Sequence, residues 1–537
     1  MWKIFIVLSI ACWSLMPSPV CQGLEQYKRI SRESMAQIVD GNYDAAIQTS
    51  NDYLKDHPDD LESMYVLAVA YAQIGRIEKS LFYVESAVAA GLPLERFLAG
   101  PRDLLQPLAE NEEFQALAAE IDTKLLHGPM LGCITDTQAR FWVRTAVEAA
   151  VNVSVKEAAG PGRFSAAGRT EAKTDFTGIV SVTGLKPNTR YEYELRVADE
   201  SDVTRARFKT FPPPGRPARF DIAFGGCAGY TPDHERMWNL IASKDPLAFL
   251  FLGDNVYIDN PTRQAVQQYC YYRRQSRPEY RAFTAKTPLF AIYDDHDFTV
   301  DDGWGGPDVD QPAWKIPVWK TFRNNWNNPA YGGGEKLPGC WFDFSIADVH
   351  FIMLDGRTYR VKGRRQGVEV DRPSMLGPVQ KQWLFERLKA SRGTFKVLAS
   401  PVPWAFGSKS GRGGMDTWEG FHEEREEIFS FLARHKIDGV ILLSADRHRG
   451  DAWKIERPDG YPLYEFENAR LTNIHYHPTM PGALFSYNAK CLFGQLLFDT
   501  TQADPQVTYR IVTIDDEPVY TLTLKKSQLT HTDDSHK

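Results

Sequence analysis

Four short blocks of this sequence concentrate the side chains best able to hold metal ions. Phe224-Gly225-Gly226-Cys227-Ala228-Gly229 carries a thiol, and Leu252-Gly253-Asp254-Asn255-Val256-Tyr257 carries a carboxylate with a phenol three residues later. Asp294-Asp295-His296-Asp297, followed by Asp301-Asp302-Gly303, adds carboxylates and an imidazole, and Ser444-Ala445-Asp446-Arg447-His448 adds one of each. A carboxylate can bridge two cations because each oxygen binds separately. Thiolate, phenolate and imidazole donate strongly to transition metals, whereas calcium prefers carboxylate and carbonyl oxygens. Cations held this way lower the pKa of bound water toward neutrality. Taken alone, Cys227 would pass for a buried structural thiol. Its setting is what singles it out.

Each block follows an apolar run. Phe220–Phe224, Leu247–Leu252, Leu289–Ile292 and Gly439–Leu443 precede the four in order, and His350–Leu354 and Lys396–Leu398 are further runs of the same kind. Stretches with helical periodicity, Gln380–Lys389 and Glu424–Arg434, lie between. Buried strands alternating with helices imply a layered α/β domain with its site beyond the strand ends. The blocks are therefore expected to converge on one sheet edge. His475 and His477, after Leu471-Thr472-Asn473, read more safely as a polar surface loop than as a substrate contact.

Upstream, the pattern changes twice. Residues 128–212 alternate as short strands, among them Ala139–Val143 and Val151–Val155. Leu185–Tyr193 is similar to a fibronectin type III corner with Tyr191 as the corner tyrosine. The proline-rich run from Phe211 to Pro217 serves as a linker. Residues 25–125 read as helical. Gly41–Ile47 recurs as Gly75–Leu81, and this spacing resembles tetratricopeptide repeats. That region is either a protein-partner surface or a cap on the rest.

The chain has 537 residues, 43% hydrophobic and 24% charged, an ordinary multidomain globular mixture. A net charge of -7 excludes a global basic field for nucleic acid or anionic membrane. Residues 1–23 read as a secretory signal, too short in its apolar part to span a bilayer. Export to the periplasm, cell surface or medium is expected, with lipidation of Cys21 the less favoured alternative. Beyond Cys12 and Cys21, five cysteines remain, and an odd set leaves at least one thiol unpaired.

The four ordered blocks, with Leu354-Asp355-Gly356-Arg357 and Leu376-Gly377 leading to Gln380, Trp383 and Leu384, resemble the PhoD-type alkaline phosphatases and phosphodiesterases of the metallophosphoesterase superfamily. The resemblance covers about 128–525, leaving residues 526–537 as a polar tail. It implies an αββα catalytic core over 218–525 and a multi-metal centre, iron beside calcium, with zinc or manganese as alternatives. Carried over, Cys227, Asp254 and Tyr257 are iron-side ligands and Asp254 bridges two metals. Asp295, Asp301, Asp446 and His448 complete the ligand set. His296 assists the leaving oxygen, and Arg357 would clamp phosphate. The expected substrate is a phosphate ester. The competing readings are a diester-specific enzyme, phospholipase D-like or nuclease-like, and a non-catalytic binding scaffold. Asp301 stands where many relatives have asparagine, and Tyr293 where tryptophan is common, the latter expected to affect packing alone.

Overall fold

The computed structural model describes residues 30–121, 124–198, 203–362, 372–409 and 415–532, with backbone also at 364–365 and 368–369. The expected signal at 1–23 lies outside them. No helix among the described residues is long and apolar enough to cross a membrane.

The described residues open with α1 (30–39), α2 (Tyr43–Asp56), α3 (Leu61–Gln73), α4 (Ile77–Ala89), α5 (Glu95–Ala99), α6 (Arg102–Ala109) and α7 (Glu112–Ala119). Asp60 caps α3 by accepting the Ser63 amide. From Tyr65 to Ala72 every side chain of α3 is buried, so the helix is apolar all round and runs through the middle of its neighbours.

Seven strands follow: β1 (Leu125–Gly132), β2 (Gln138–Thr145), β3 (Ala150–Glu157), β4 (Arg163–Arg169), β5 (Thr177–Thr183), β6 (Arg190–Val197) and β7 (Thr204–Lys209). They form two sheets, β1-β2-β5 and β4-β3-β6-β7. Strict alternation of buried and exposed residues along β3 and β6 leaves one face of each wet. The hydroxyl of fully buried Tyr191 accepts the Lys186 amide at 2.8 Å. This unit begins at Leu125 and is not a separate bead. Gly132 of β1 pairs in parallel with Leu289, extending a sheet of the next domain.

That domain contains β8 (Arg219–Gly225), α8 (Arg236–Ser243), β9 (Phe249–Leu252), α9 (Gln264–Gln275), α10 (Pro278–Thr284), β10 (Leu289–Ile292), α11 (Asp295–Phe298) and α12 (Lys315–Asn325). It continues with β11 (Phe342–Ile346), β12 (Val349–Met353), the small hairpin β13 (Arg364–Arg365) and β14 (Val368–Glu369), α13 (Gly377–Ala390), β15 (Phe395–Ala399), α14 (His422–Arg434) and β16 (Val440–Ser444). Last come β17 (Gly450–Ile455), β18 (Leu463–Asn468), β19 (Phe485–Tyr487), β20 (Leu492–Asp499), β21 (Gln506–Thr513) and β22 (Pro518–Lys525).

One sheet runs β22-β21-β20-β8-β9-β10-β1-β2-β5, the other β11-β12-β15-β16-β18-β17-β19. The β8/β9/β10 pairs and the β12/β15/β16 pairs are parallel, so their connecting helices must cross over a face. The opposite faces meet through rings such as Phe290 on Phe344 (centroids 3.8 Å) and Phe466 on Tyr509 (4.0 Å). Helices outside and sheets inside make four layers, which is why β9, β10, β15 and β16 are buried on both sides. The tail folds back at least to Leu529, which is buried and whose carbonyl accepts the Gly439 amide.

The helical region is fastened to α9. Tyr269 donates to Glu62 at 2.6 Å, Arg273 to Ser31, and Arg263 grips both oxygens of Asp40 at 2.8 and 2.9 Å. Arg96, fully buried, lies 4.0 Å over the Tyr65 ring and 4.0 Å from Glu62. Removing that cation strands a buried carboxylate. Arg96→Ala is expected to cost about 3–5 kcal/mol of unfolding free energy. Urea unfolding that superimposes on the unsubstituted protein would refute this.

Candidate metal centre

The strand ends bring the donors together, although not on one edge as the sequence implied. Cys227, Asp254 and the 294–297 block lie beyond β8, β9 and β10 of one sheet, whereas Asp446 and His448 lie beyond β16 of the other. Stacking the sheets puts both edges side by side. Ligand atoms of Cys227, Asp254 and His448 fall within 4.8 Å of one another, as do those of Asp254, Asp295 and His296, and those of Asp295, Asp301 and Asp302. Tyr257 Oη is 2.9 Å from His448 Nε2. Asp254 belongs to two groups, the position a bridging carboxylate must occupy. Asp446 lines the same cavity, 3.6 Å from Arg447, outside these groupings among the described residues.

The backbone is bent to make this possible. Cys227, Asp254, Tyr257, Asp446 and His448 all have left-handed φ, between 47° and 73°. Each such non-glycine residue costs of order 1–3 kcal/mol, and such strain clusters where function over-determines geometry. Two glycines permit the close approach of the loops. A Cβ on Gly253 would stand 2.6 Å from that of Asp294, and one on Gly226 would stand 2.6 Å from that of Ala445. The loops are then stitched by main chain: Cys227 N to Gly253 O, Ala228 N to Asp254 O, and Ile258 N to His296 O.

Side chains missed in the sequence hold the donors in place. Asp297 accepts the Asn255 and Val256 amides at 2.9 Å each, tying down the loop between Asp254 and Tyr257. Asp259 accepts from His296 Nδ1 at 2.5 Å, and Asn473 donates to Tyr257 Oη at 2.8 Å. Arg32 of α1 donates to the Tyr257 carbonyl at 2.9 Å and pairs with Asp259. Asp259 lies two positions past Tyr257, where its proximity was a readable signal. Arg32, far upstream, had none.

Arg357 is placed differently from its expected role. It is fully buried and donates to Asp294, to both oxygens of Asp416 at 2.9 and 3.1 Å, and to Gly303 O, with Asp295 at 3.4 Å. Its guanidinium is committed behind the donors, and it does not line the cavity. Tyr293 does more than pack, since its hydroxyl donates to Asp355 at 2.9 Å. All five described cysteines outside the signal are unpaired and buried.

The cavity has a volume of about 410 Å³ and a lining of mixed charge. Asp259, Asp295, Asp301, Asp302 and Asp446 make it acidic, while Arg32, Lys409, Arg447, His475 and His477 face it as well. Burial, then the charges of Asp254 and Asp446, holds the Cys227 thiol well above its ordinary range. Burial, then Asp254 and Cys227, does the same to the Tyr257 phenol. Burial also raises Asp254 far above a normal carboxyl, with His296 opposing and Asp295 reinforcing the shift. Buried Asp254 Oδ1 and Asn255 Oδ1 have no hydrogen-bond partner. Donors that repel one another, resist ionisation and leave oxygens unspent fit a site built for cations.

Residues 222–483 match the PhoD-like phosphatase family, and residues 122–215 match a domain of unknown function, DUF7800. The first match spans every donor block. This chain carries a PhoD-like phosphatase domain. It is 25% identical over 314 residues to alkaline phosphatase D of Bacillus subtilis (strain 168), covering 50% of this chain and 52% of that protein. The chain thus spans about half the length of that curated relative. A solved structure of PhoD superposes with a TM-score of 0.63 at 16% identity, covering 75% of this chain and 91% of that one. Purple acid phosphatase PPD1 from yellow lupin (Lupinus luteus) seeds gives 0.54 at 13%, covering 77% and 78%. These likenesses show the fold of the PhoD-like domain. With the grouped donors, the family implies a centre of more than one metal.

Two substitutions separate donor from support. Asp254→Asn should lower metal content at both positions it joins, read by elemental analysis of protein purified without chelators; full content would remove Asp254 as a bridge. Arg357→Ala should destabilise the fold by about 3–5 kcal/mol, because Asp294 and Asp416 lose their buried partner. An unchanged melting temperature would contradict that.

Proposed function

We propose that this chain is an exported metal-dependent phosphoesterase that hydrolyses phosphate monoesters, and diesters where the cavity admits them, by direct attack of water. One observation carries the reading. Tyr257, Asp295, His296 and His448, from loops far apart in the chain, line one cavity, and Cys227 and Asp254 are buried behind it with ligand atoms within 4.8 Å of that of His448. Cys227, Asp254, Tyr257 and His448 suit a transition metal such as iron, and Asp254, Asp295 and Asp301 a harder ion such as calcium. When bound, these cations supply a water of lowered pKa and offset charge on the phosphoryl oxygens.

The chain's own groups do the rest. Asp259 holds His296 through Nδ1, fixing the ring so that Nε2, 3.7 Å from Asp301, is the nitrogen left to protonate a departing alkoxide. Lys409 and Arg447 offer positive charge on the cavity wall for an anionic ester. Arg357 acts through Asp294 and Asp295, keeping the acidic loop in place. We read residues 128–212 as fibronectin III-like, supported by the Tyr191 hydroxyl accepting the Lys186 amide, and residues 25–125 as a tetratricopeptide-like cap.

Fully metallated protein should hydrolyse a synthetic aryl phosphate monoester, with a bis-aryl diester run in parallel to set preference. Hydrolysis of neither ester would leave the binding-scaffold reading standing. His296→Ala should keep its metal and lose about 10²–10⁴-fold in kcat. Tyr257→Phe should abolish any tyrosinate-to-iron absorption in the visible, and unchanged colour would strike Tyr257 from the ligands.

A further inference from the structure

His475 and His477 are not used in the reading above. The loop bearing them has neither helical nor strand hydrogen bonding, yet both rings face the cavity. The loop is firmly held. Arg470 donates to the carbonyls of Asn473 and Ile474 at 3.1 Å each, Asn488 donates to the His477 carbonyl at 2.8 Å, and the His475 amide donates to Asn473 Oδ1 at 3.1 Å. Asn473 in turn reaches Tyr257, joining this loop to the centre. The result is a triangle of imidazoles. Ring centroids are 5.0 Å apart for His448 and His475, 5.2 Å for His448 and His477, and 4.8 Å for His475 and His477. One nitrogen from each ring falls within 4.8 Å of the other two.

We propose that His448, His475 and His477 form a further site for a divalent transition metal beside the carboxylate-rich centre. Three imidazole nitrogens, with no carboxylate in the group, select an ion such as zinc or copper over calcium. Three protein ligands leave a fourth position open to the cavity, where an anionic oxygen of a bound ester can enter. To serve this site and the centre together, His448 would ligate through both nitrogens as an imidazolate, its remaining N–H proton released to solvent. The proposal rests on the phosphoesterase reading only through that shared residue.

The test uses the full chain purified without chelators. Wild type is compared with His475→Ala and His477→Ala, each checked by circular dichroism for native secondary structure, and with His477→Gln as a milder change. Elemental analysis and cobalt(II) titration, followed by visible absorption, should show one fewer transition-metal equivalent per chain in each folded variant. Any absorption due to Tyr257 and iron should persist. Equal stoichiometry and identical cobalt spectra in wild type and folded variants would overturn the site. If the extra equivalent is present and no ester is hydrolysed, the metal site stands and the phosphoesterase reading falls.

Discussion

Asp254, Asp294, Asp295 and Asp297 are all at least 96% buried within one small region, and their mutual repulsion is the constraint around which the rest is arranged. Water does not screen such groups, so each must find a partner. Arg357 answers Asp294 and Asp295, and main-chain amides answer Asp297. Asp254 Oδ1 receives no hydrogen bond among the described residues. The balance struck is partial by construction, and the shortfall falls where cations would sit. Arg357 matters for this reason although it does not line the cavity. Asp416, gripped by Arg357, Arg360 and Lys362, keeps those cations in place and is itself held well below the ordinary carboxylate range despite its burial.

The same region concentrates backbone strain. Five donor residues in the left-handed region would be a poor choice for stability alone, since side chains there crowd the preceding peptide. The strain is carried by what surrounds it: strands buried on both faces, loops bonded to one another through main chain, and glycines where loops nearly touch. A rigid scaffold allows short, bent loops to hold donors at fixed separations.

The helical region belongs to this arrangement. Its contacts with α9 use buried polar groups of fixed geometry, and α9 directly follows the loop that carries Asp254, Tyr257 and Asp259. Arg32 extends that connection into the cavity wall, through the Tyr257 carbonyl and Asp259. A region outside the family match thus braces the pair that orients His296.

Local facts could be read straight from neighbouring residues. Apolar runs ending in Cys227, Asp254, Asp295 and Asp446 marked the strands and the loops after them, because strand burial and loop chemistry are written within a few residues of each other. Ordered blocks also disclosed the family, and Leu289–Ile292 was legible to the residue. Whatever depends on distant partners emerged with the fold. Only stacking shows that the blocks meet from two sheets. Only folding gives Arg357 to Asp294 and Asp416, 63 and 59 residues away, and turns it from the cavity. His475 and His477 read as surface loop because polarity is local, while their facing His448 is not. Charge pairing and imidazole convergence act through space, so separation along the chain carries no record of them.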